Sequence, residues 1–470
     1  MTSILGILVS LGLLITLAYR GVSVLLLAPL MALVATLFSA DAPLLASYTQ
    51  VFMPALGGFV VSFFPLFLLG AVFGKLMETS GSASAIAQGI VGLLGPHRAL
   101  VAIVAACAVL TYGGVSLFVV AFAVYPIAEA LFRQAGLPRR LMPATIALGA
   151  FTFTMTALPG TPAIQNAIPM PYFGTTPFAA PGLGVIGGAV MLGLGCWWLL
   201  ARAASAHRRG EGYEADDAAV ESPEAAAAAL TPPAHEPQRL ARALAPIALV
   251  IALNYLLSTW VLQALDTRYL ADARFGSTHI GAVRGVWAVI AALFAATVLL
   301  LVLERARLPA LKDTLGAGAS ASVLPLMNTA SQVGYGAVIA SLAGFGLIRD
   351  VVLGVAPDNP LISLSIAVNV LAGITGSASG GMSIALQTLG ATWLAMGETA
   401  NISPELLHRV TAIATGGLDA LPHNGAVITL LSICKLSHRQ AYGDILVVAV
   451  AGPLVALAVV VALGTAFGSF

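Results

Sequence analysis

Two stretches of the chain nearly repeat one another: ALPGTPAI at residues 157–164 and ALPHNGAV at residues 420–427. Each interrupts an apolar run with a proline, Pro159 or Pro422, and follows it within two residues by Gly or Asn. A proline removes an amide donor and clashes with the preceding helical turn, while glycine lets the chain reverse or approach a ligand closely. What such a break means depends on the solvent around it. Composition settles that: 59% of the residues are hydrophobic and 9% charged, against about 25% charged in a soluble domain. Runs at 4–17, 22–38, 185–200 and 444–470 approach or exceed the ~20 apolar residues that cross a bilayer as a helix. They show little period-two alternation, which argues against an outer-membrane barrel. The expected fold is therefore an all-α polytopic membrane protein. The N-terminal run to Arg20 lacks a basic leader and a small-residue cleavage site and is read as the first spanning helix.

Several functions are excluded early. A net charge of +1 gives no basic field for nucleic acid. Cys107, Cys196 and Cys434 lie far apart in apolar runs with no ligand spacing, so packing explains them. There is no HExxH, no GxSxG elbow and no cofactor motif, so an enzyme is not expected.

The charges divide the chain. Eleven of the 41 charged residues fall between positions 206 and 242, in a segment that includes ESPEAAAAALTPPAHEP. Such a segment buries too little apolar surface to offset its ordering entropy, and the arginines at its ends (208, 209, 239 and 242) place it in the cytoplasm by the positive-inside rule. The expected organisation is an N-terminal transmembrane repeat over 1–205, a flexible linker over 206–242 and a C-terminal repeat over 243–470. Three matches in the same order support the repeat: GAV at 70 and 336, GGVS at 113 with GGMS at 380, and ALP at 157 and 420.

Paired interruptions in repeated halves are a transporter signature. In hydrocarbon an unpaired backbone group costs several kcal/mol, so a break survives only inside protein or against a watery cavity. Four breaks fit. LTYGGVSLF (110–118) and GITGSASGGMSIALQTLG (373–390) read as tips of re-entrant hairpins. TMTALPGTPAIQNAI (154–168) and TGGLDALPHNGAVITL (415–430) read as unwound helices. Half-helix N-termini at such points aim free N–H groups at an anion.

These residues resemble the gluconate-permease family within the wider ion-transporter superfamily, through the TGSASGG turn, the Pro-His-Asn of ALPHNGA and its ALPGTPA counterpart. The resemblance extends loosely over most of the chain outside the linker. It implies two inverted-topology repeats, a homodimer with scaffold and moving domains, residence in the bacterial inner membrane, and proton-coupled uptake of a small hydroxy- or amino-carboxylate such as gluconate or hydroxybutyrate. The first-half LPGTP lacks the His-containing turn of gluconate carriers, so the implied substrate is an organic anion in the broader sense. A sodium-coupled citrate- or dicarboxylate-type carrier and an ion channel are the alternatives.

The residues expected to bind substrate are Gly113, Gly114, Ser116, Gly160, Thr161, Asn166, Thr375, Gly376, Ser377, Ser379, Gly380, Ser383, His423 and Asn424. The hydroxyls among them also suit plain helix packing. Asp419 and His423 are the candidates for carrying H⁺ or holding Na⁺, with a capping role as the alternative for Asp419. No arginine stands out near the four breaks, so an anion is expected to rest on backbone dipoles and hydroxyls. The other histidines, His408 included, are read as solvated groups in loops or at helix ends.

Overall fold

The computed structural model describes residues 2–20, 22–39, 42–213 and 237–470. It is helical, with no strand among the described residues. The first half runs through α1 (Thr2–Tyr19), α2 (Val24–Leu37), α3 (Leu44–Thr79), α4 (Ser82–Leu94), α5 (Ala99–Tyr112), α6 (Leu117–Gln134), α7 (Met142–Ala150), the short turns α8 (Phe153–Thr156), α9 (Ile164–Ala167) and α10 (Pro169–Phe173), and α11 (Pro181–Arg208). The second half runs through α12 (Pro237–Leu256), α13 (Ile280–Glu304), α14 (Leu311–Ser341), α15 (Phe345–Gly354), α16 (Pro360–Thr375), α17 (Ala378–Thr399), α18 (Pro404–Ala414), α19 (Gly425–Ile433) and α20 (His438–Phe467).

Among the described residues six helices are long and apolar enough to cross a membrane, and a seventh is counted if α14 and α15, bent by 97° at their junction, form one span. Other apolar helices among the described residues, with apolar stretches of 10–17 residues, are shorter. At about 1.5 Å per residue, α5 and α16 reach only ~21 and ~24 Å, less than the ~30 Å hydrocarbon core. Each turns back as the first arm of a hairpin: α5 with α6, and α16 with α17.

The two halves face opposite ways. The long helices α3 and α14 pack head to tail, with Gly318 against Val72 and Gly334 against Phe52. At one end Arg139 donates to the Cys434 carbonyl at 2.9 Å, placing the start of α7 beside the end of α19. At the other, Gly182 N–H donates to Phe470 O at 2.8 Å and Ser403 bonds Ser469 at 2.9 Å, so α18 starts where α11 starts. The first hairpin therefore opens at the linker end. The second opens at the far end, where Asn359 bonds Thr465 at 2.8 Å. These are the hairpins and broken helices that the sequence predicts, in the inverted repeat that the family resemblance implies.

Helix occupies both margins of the expected linker: α11 continues to Arg208 and α12 starts at Pro237. The rest of that span up to residue 213 is described, and 214–236 lie outside the described residues.

A charge network ties the linker end together. Asp444, 4% exposed, accepts from Trp198 Nε1 at 3.0 Å, Arg202 Nε at 2.9 Å and Arg140 at 3.0 Å. Arg140 also grips Glu211 through two bonds, 2.6 and 3.1 Å. That bidentate fork and the neighbouring Arg209 pull the Glu211 carboxyl down to about 2 from an ordinary 4.5. A depressed carboxyl stabilises the fold fully above its unfolded value and loses that contribution as pH falls through its folded value. The melting-temperature difference between wild type and Glu211→Gln in detergent is therefore expected to be constant from pH 8 to pH 5 and to vanish on acidification between about 4.5 and 2. A difference that disappears already at pH 6 contradicts this tie.

Candidate functional site: the paired helix breaks

The first break, residues 157–163, is a lattice of carbonyls met by buried and half-buried donors. Tyr112 Oη donates to Pro159 O at 2.6 Å, Asn254 Nδ2 to Gly160 O at 3.0 Å, and Asn166 Nδ2 to Thr161 O at 3.0 Å and Pro177 O at 2.9 Å. At its centre sits Arg409, fully buried. Its Nε donates to Ala179 O at 3.0 Å, one terminal nitrogen to Pro177 O at 3.1 Å, and the other to Asn166 Oδ1 at 3.1 Å and Thr156 O at 3.4 Å. No carboxylate is among these partners. A cation in the interior is thus balanced by the dipoles of the chain that the break exposes, as happens where a helix unwinds inside protein. Because Asn166 Nδ2 is committed to two carbonyls, its Oδ1 accepts, and the fully buried His408 beside it at 3.1 Å donates from Nε2. His408 Nδ1 meets the Thr175 hydroxyl.

The first hairpin tip closes on this lattice. Gly114 adopts φ +91°, a left-handed turn that favours glycine, and a Cβ there would lie 2.9 Å from Pro162. Ser116 starts α6 without spending its hydroxyl on the helix.

The second break, residues 415–424, is joined to the second hairpin tip. Asn424 Nδ2 donates to Gly376 O at 2.9 Å, while its Oδ1 caps α19 by accepting from Ala426 N at 2.6 Å and Val427 N at 3.2 Å. Gly376, at φ +59°, lies so close to His423 that a Cβ would come within 2.9 Å of its ring. His438 lies 2.8 Å from Pro422 O, Tyr442 Oη donates to Ala420 O at 3.1 Å, and Leu418 N–H donates to Asn369 Oδ1 at 3.2 Å. Asp419 stands in this break, half-buried, in no ion pair among the described residues.

The two breaks touch. A Cβ on Gly416 would lie 3.4 Å from Thr156, Arg409 reaches from the helix entering the second break into the first, and α19 packs on α6. Three helices, α6, α17 and α19, therefore begin at the tips and breaks and turn their positive ends toward this region.

This layout of opposed hairpins and paired breaks has counterparts. Over 448 residues the chain is 45% identical to an uncharacterized transporter, YxjC, of Bacillus subtilis (strain 168), with 93% of this chain and 94% of that protein covered. The chain belongs to the YxjC family of transporters. It also shares its fold, at TM-score 0.58 and 18% identity over 96% of this chain and 98% of the other, with the crystal structure of the YdaH transporter of Alcanivorax borkumensis, for which an unusual topology is described. No protein-family profile matches the chain.

Within this transporter the residues singled out by sequence fall into two groups. Pro159, Gly160, Thr161 and Asn166 lie in the first break, with Gly113, Gly114 and Ser116 at the hairpin tip beside it. Pro422, His423, Asn424 and Asp419 lie in the second, with Thr375, Gly376, Ser377, Ser379, Gly380 and Ser383 at or just beyond the other tip. Several hydroxyls already have structural bonds. Ser377 caps α17 through Gly380 N–H at 3.1 Å, Thr375 donates to Leu371 O at 2.9 Å, and Ser379 pairs with Thr329 at 3.2 Å.

Two expectations are corrected. An arginine does stand at the breaks, and His408 is not solvated: both are fully buried. The signal was present in SPELLHRVTAIA (403–414). Ser403 caps and Pro404 opens that helix, so counting from it puts His408 and Arg409 in the second turn, inside a helix rather than in a loop or at its end. Tyr112 falls in the predicted first tip, but nothing in the sequence marks its partner or the role of Asn254, whose bonds reach 47 and 94 residues away.

Proposed function

We propose that the transporter imports a small organic anion together with a proton across the bacterial inner membrane. The observation that supports this most is the meeting of two unwound segments, one from each inverted half, around helix N-termini and an arginine without a carboxylate partner. Positive helix ends favour a negatively charged substrate, Arg409 adds a positive field from behind the first break while its donors hold that break in shape, and Asp419 supplies one titratable group in the same region. Carrying H⁺ with a carboxylate lowers the charge that must cross the low-dielectric barrier, a physical reason for coupling. The resemblance to gluconate permeases adds the substrate class, hydroxy- or amino-carboxylates such as gluconate and hydroxybutyrate, and a homodimeric assembly.

A sodium-coupled carrier of citrate or dicarboxylate type is the second reading. It is favoured by the buried, unpartnered Gln332 Oε1 and Ser383 Oγ beside the second tip, since neutral oxygens suit a hard cation. Uptake of labelled gluconate and 3-hydroxybutyrate into proteoliposomes separates the two. Accumulation driven by an inward pH gradient and abolished by a protonophore is expected. Accumulation that follows a sodium gradient instead favours the second reading.

A further inference from the structure

At the linker end of the first hairpin lies a cavity of about 820 Å³, away from the paired breaks. Its walls come from three places: the turn into α5, the end of α6, and the last two turns of α11. The rim carries His97, Arg98 and His207, all exposed, and no acidic side chain lines the cavity. The floor is apolar, with Leu100, Leu137 and Leu200, the last 49% exposed at the edge. Arg98 is also the residue that precedes α5, a 14-residue helix with no side chain capping its start. The rim therefore combines a guanidinium, two imidazoles and a positive helix end, which together suit a phosphate group.

The shape favours an amphipathic ligand over a purely aqueous one. A free anion is served by the rim alone and leaves the leucines facing water. A phospholipid uses both parts: phosphate at Arg98 and the imidazoles, acyl chain along the apolar floor. Basic pockets between membrane helices on the cytoplasmic side bind such headgroups, and Arg98, Arg133, Arg139, Arg140, Arg202 and Arg208 gather at this end, which makes it the cytoplasmic one by the positive-inside rule.

We propose that this cavity is a binding site for an anionic phospholipid, which braces the base of the first hairpin against α11. The site is independent of the substrate, so its test does not depend on uptake.

Purified protein is mixed in an uncharged detergent with photoreactive phosphatidylglycerol or phosphatidylcholine, irradiated, and the cross-linked peptides are mapped. Cross-links to 97–101, 134–137 and 200–207 are expected to be enriched with phosphatidylglycerol by roughly five-fold, the weight of about one interfacial cation. In Arg98→Glu, a change at an exposed position, that enrichment is expected to disappear while cross-links elsewhere persist. A parallel sample contains millimolar inorganic phosphate. Undiminished cross-linking supports the lipid assignment, whereas full displacement reassigns the site to a free phosphate and overturns it. Equal labelling by the two lipids, or unchanged labelling of Arg98→Glu, also overturns the proposal.

Discussion

Replacing Arg409 by Met is expected to abolish uptake and to lower the stability of the detergent-solubilised protein by a few kcal/mol, since each buried acceptor left without a donor costs about 1–3 kcal/mol and removal of the buried charge offsets part of that. The cause is local. The side chain donates to Ala179 O, Pro177 O, Thr156 O and Asn166 Oδ1, and no water-facing route is open to those acceptors once it is gone, because the site is fully buried. Arg409→Lys is the more informative change. It keeps the charge, but an ammonium is a compact point donor and cannot span carbonyls that a planar fork reaches together. It is expected to fold, to melt at lower temperature and to transport at least about ten-fold more slowly, an effect of about 1.4 kcal/mol on the rate-limiting barrier. Initial uptake rates and thermal melts of the two variants check this. Wild-type rates in Arg409→Lys contradict the view that the fork shapes the first break.

Asp419→Asn is expected to uncouple transport without stopping it. For one proton per anion in an electroneutral step, a pH gradient of one unit supports about ten-fold accumulation. With an amide at 419 the gradient has nothing to act on, so accumulation is expected to fall to about one-fold while exchange of labelled for unlabelled anion continues. Measured together in one vesicle preparation, the two readings distinguish a lost coupling site from a misfolded protein, in which both fail. Full accumulation in Asp419→Asn assigns the proton to another group, His423 first among them because it stands in the same break against Gly376.

Much of the architecture is legible because breaks in a membrane helix must be punctuated. Pro159, Gly160, Pro422 and the glycines of the two tips interrupt apolar runs where a bilayer tolerates no unpaired backbone. The tips predicted within 110–118 and 373–390 contain the turns between α5 and α6 and between α16 and α17. The long-range polar lattice is a different matter. Arg409 and Asn166 are 243 residues apart and Arg140 and Asp444 are 304 apart. Pairing at such separations follows from how the halves pack, and no local pattern encodes it. Asn424 shows the limit from the other side: its place in a break was readable, yet its oxygen caps α19 and its amide holds the second tip, roles that depend on backbone direction.

Joint movement of an organic anion and a proton through the region where the two breaks meet is read out by following the proton itself. Vesicles containing the transporter and a trapped pH-sensitive dye receive gluconate or 3-hydroxybutyrate outside, with no imposed gradient. Adding the transported anion is expected to acidify the interior, whereas Asp419→Asn vesicles preloaded with unlabelled anion are expected to take up label in exchange without acidification. Net anion uptake with no change in internal pH contradicts joint movement.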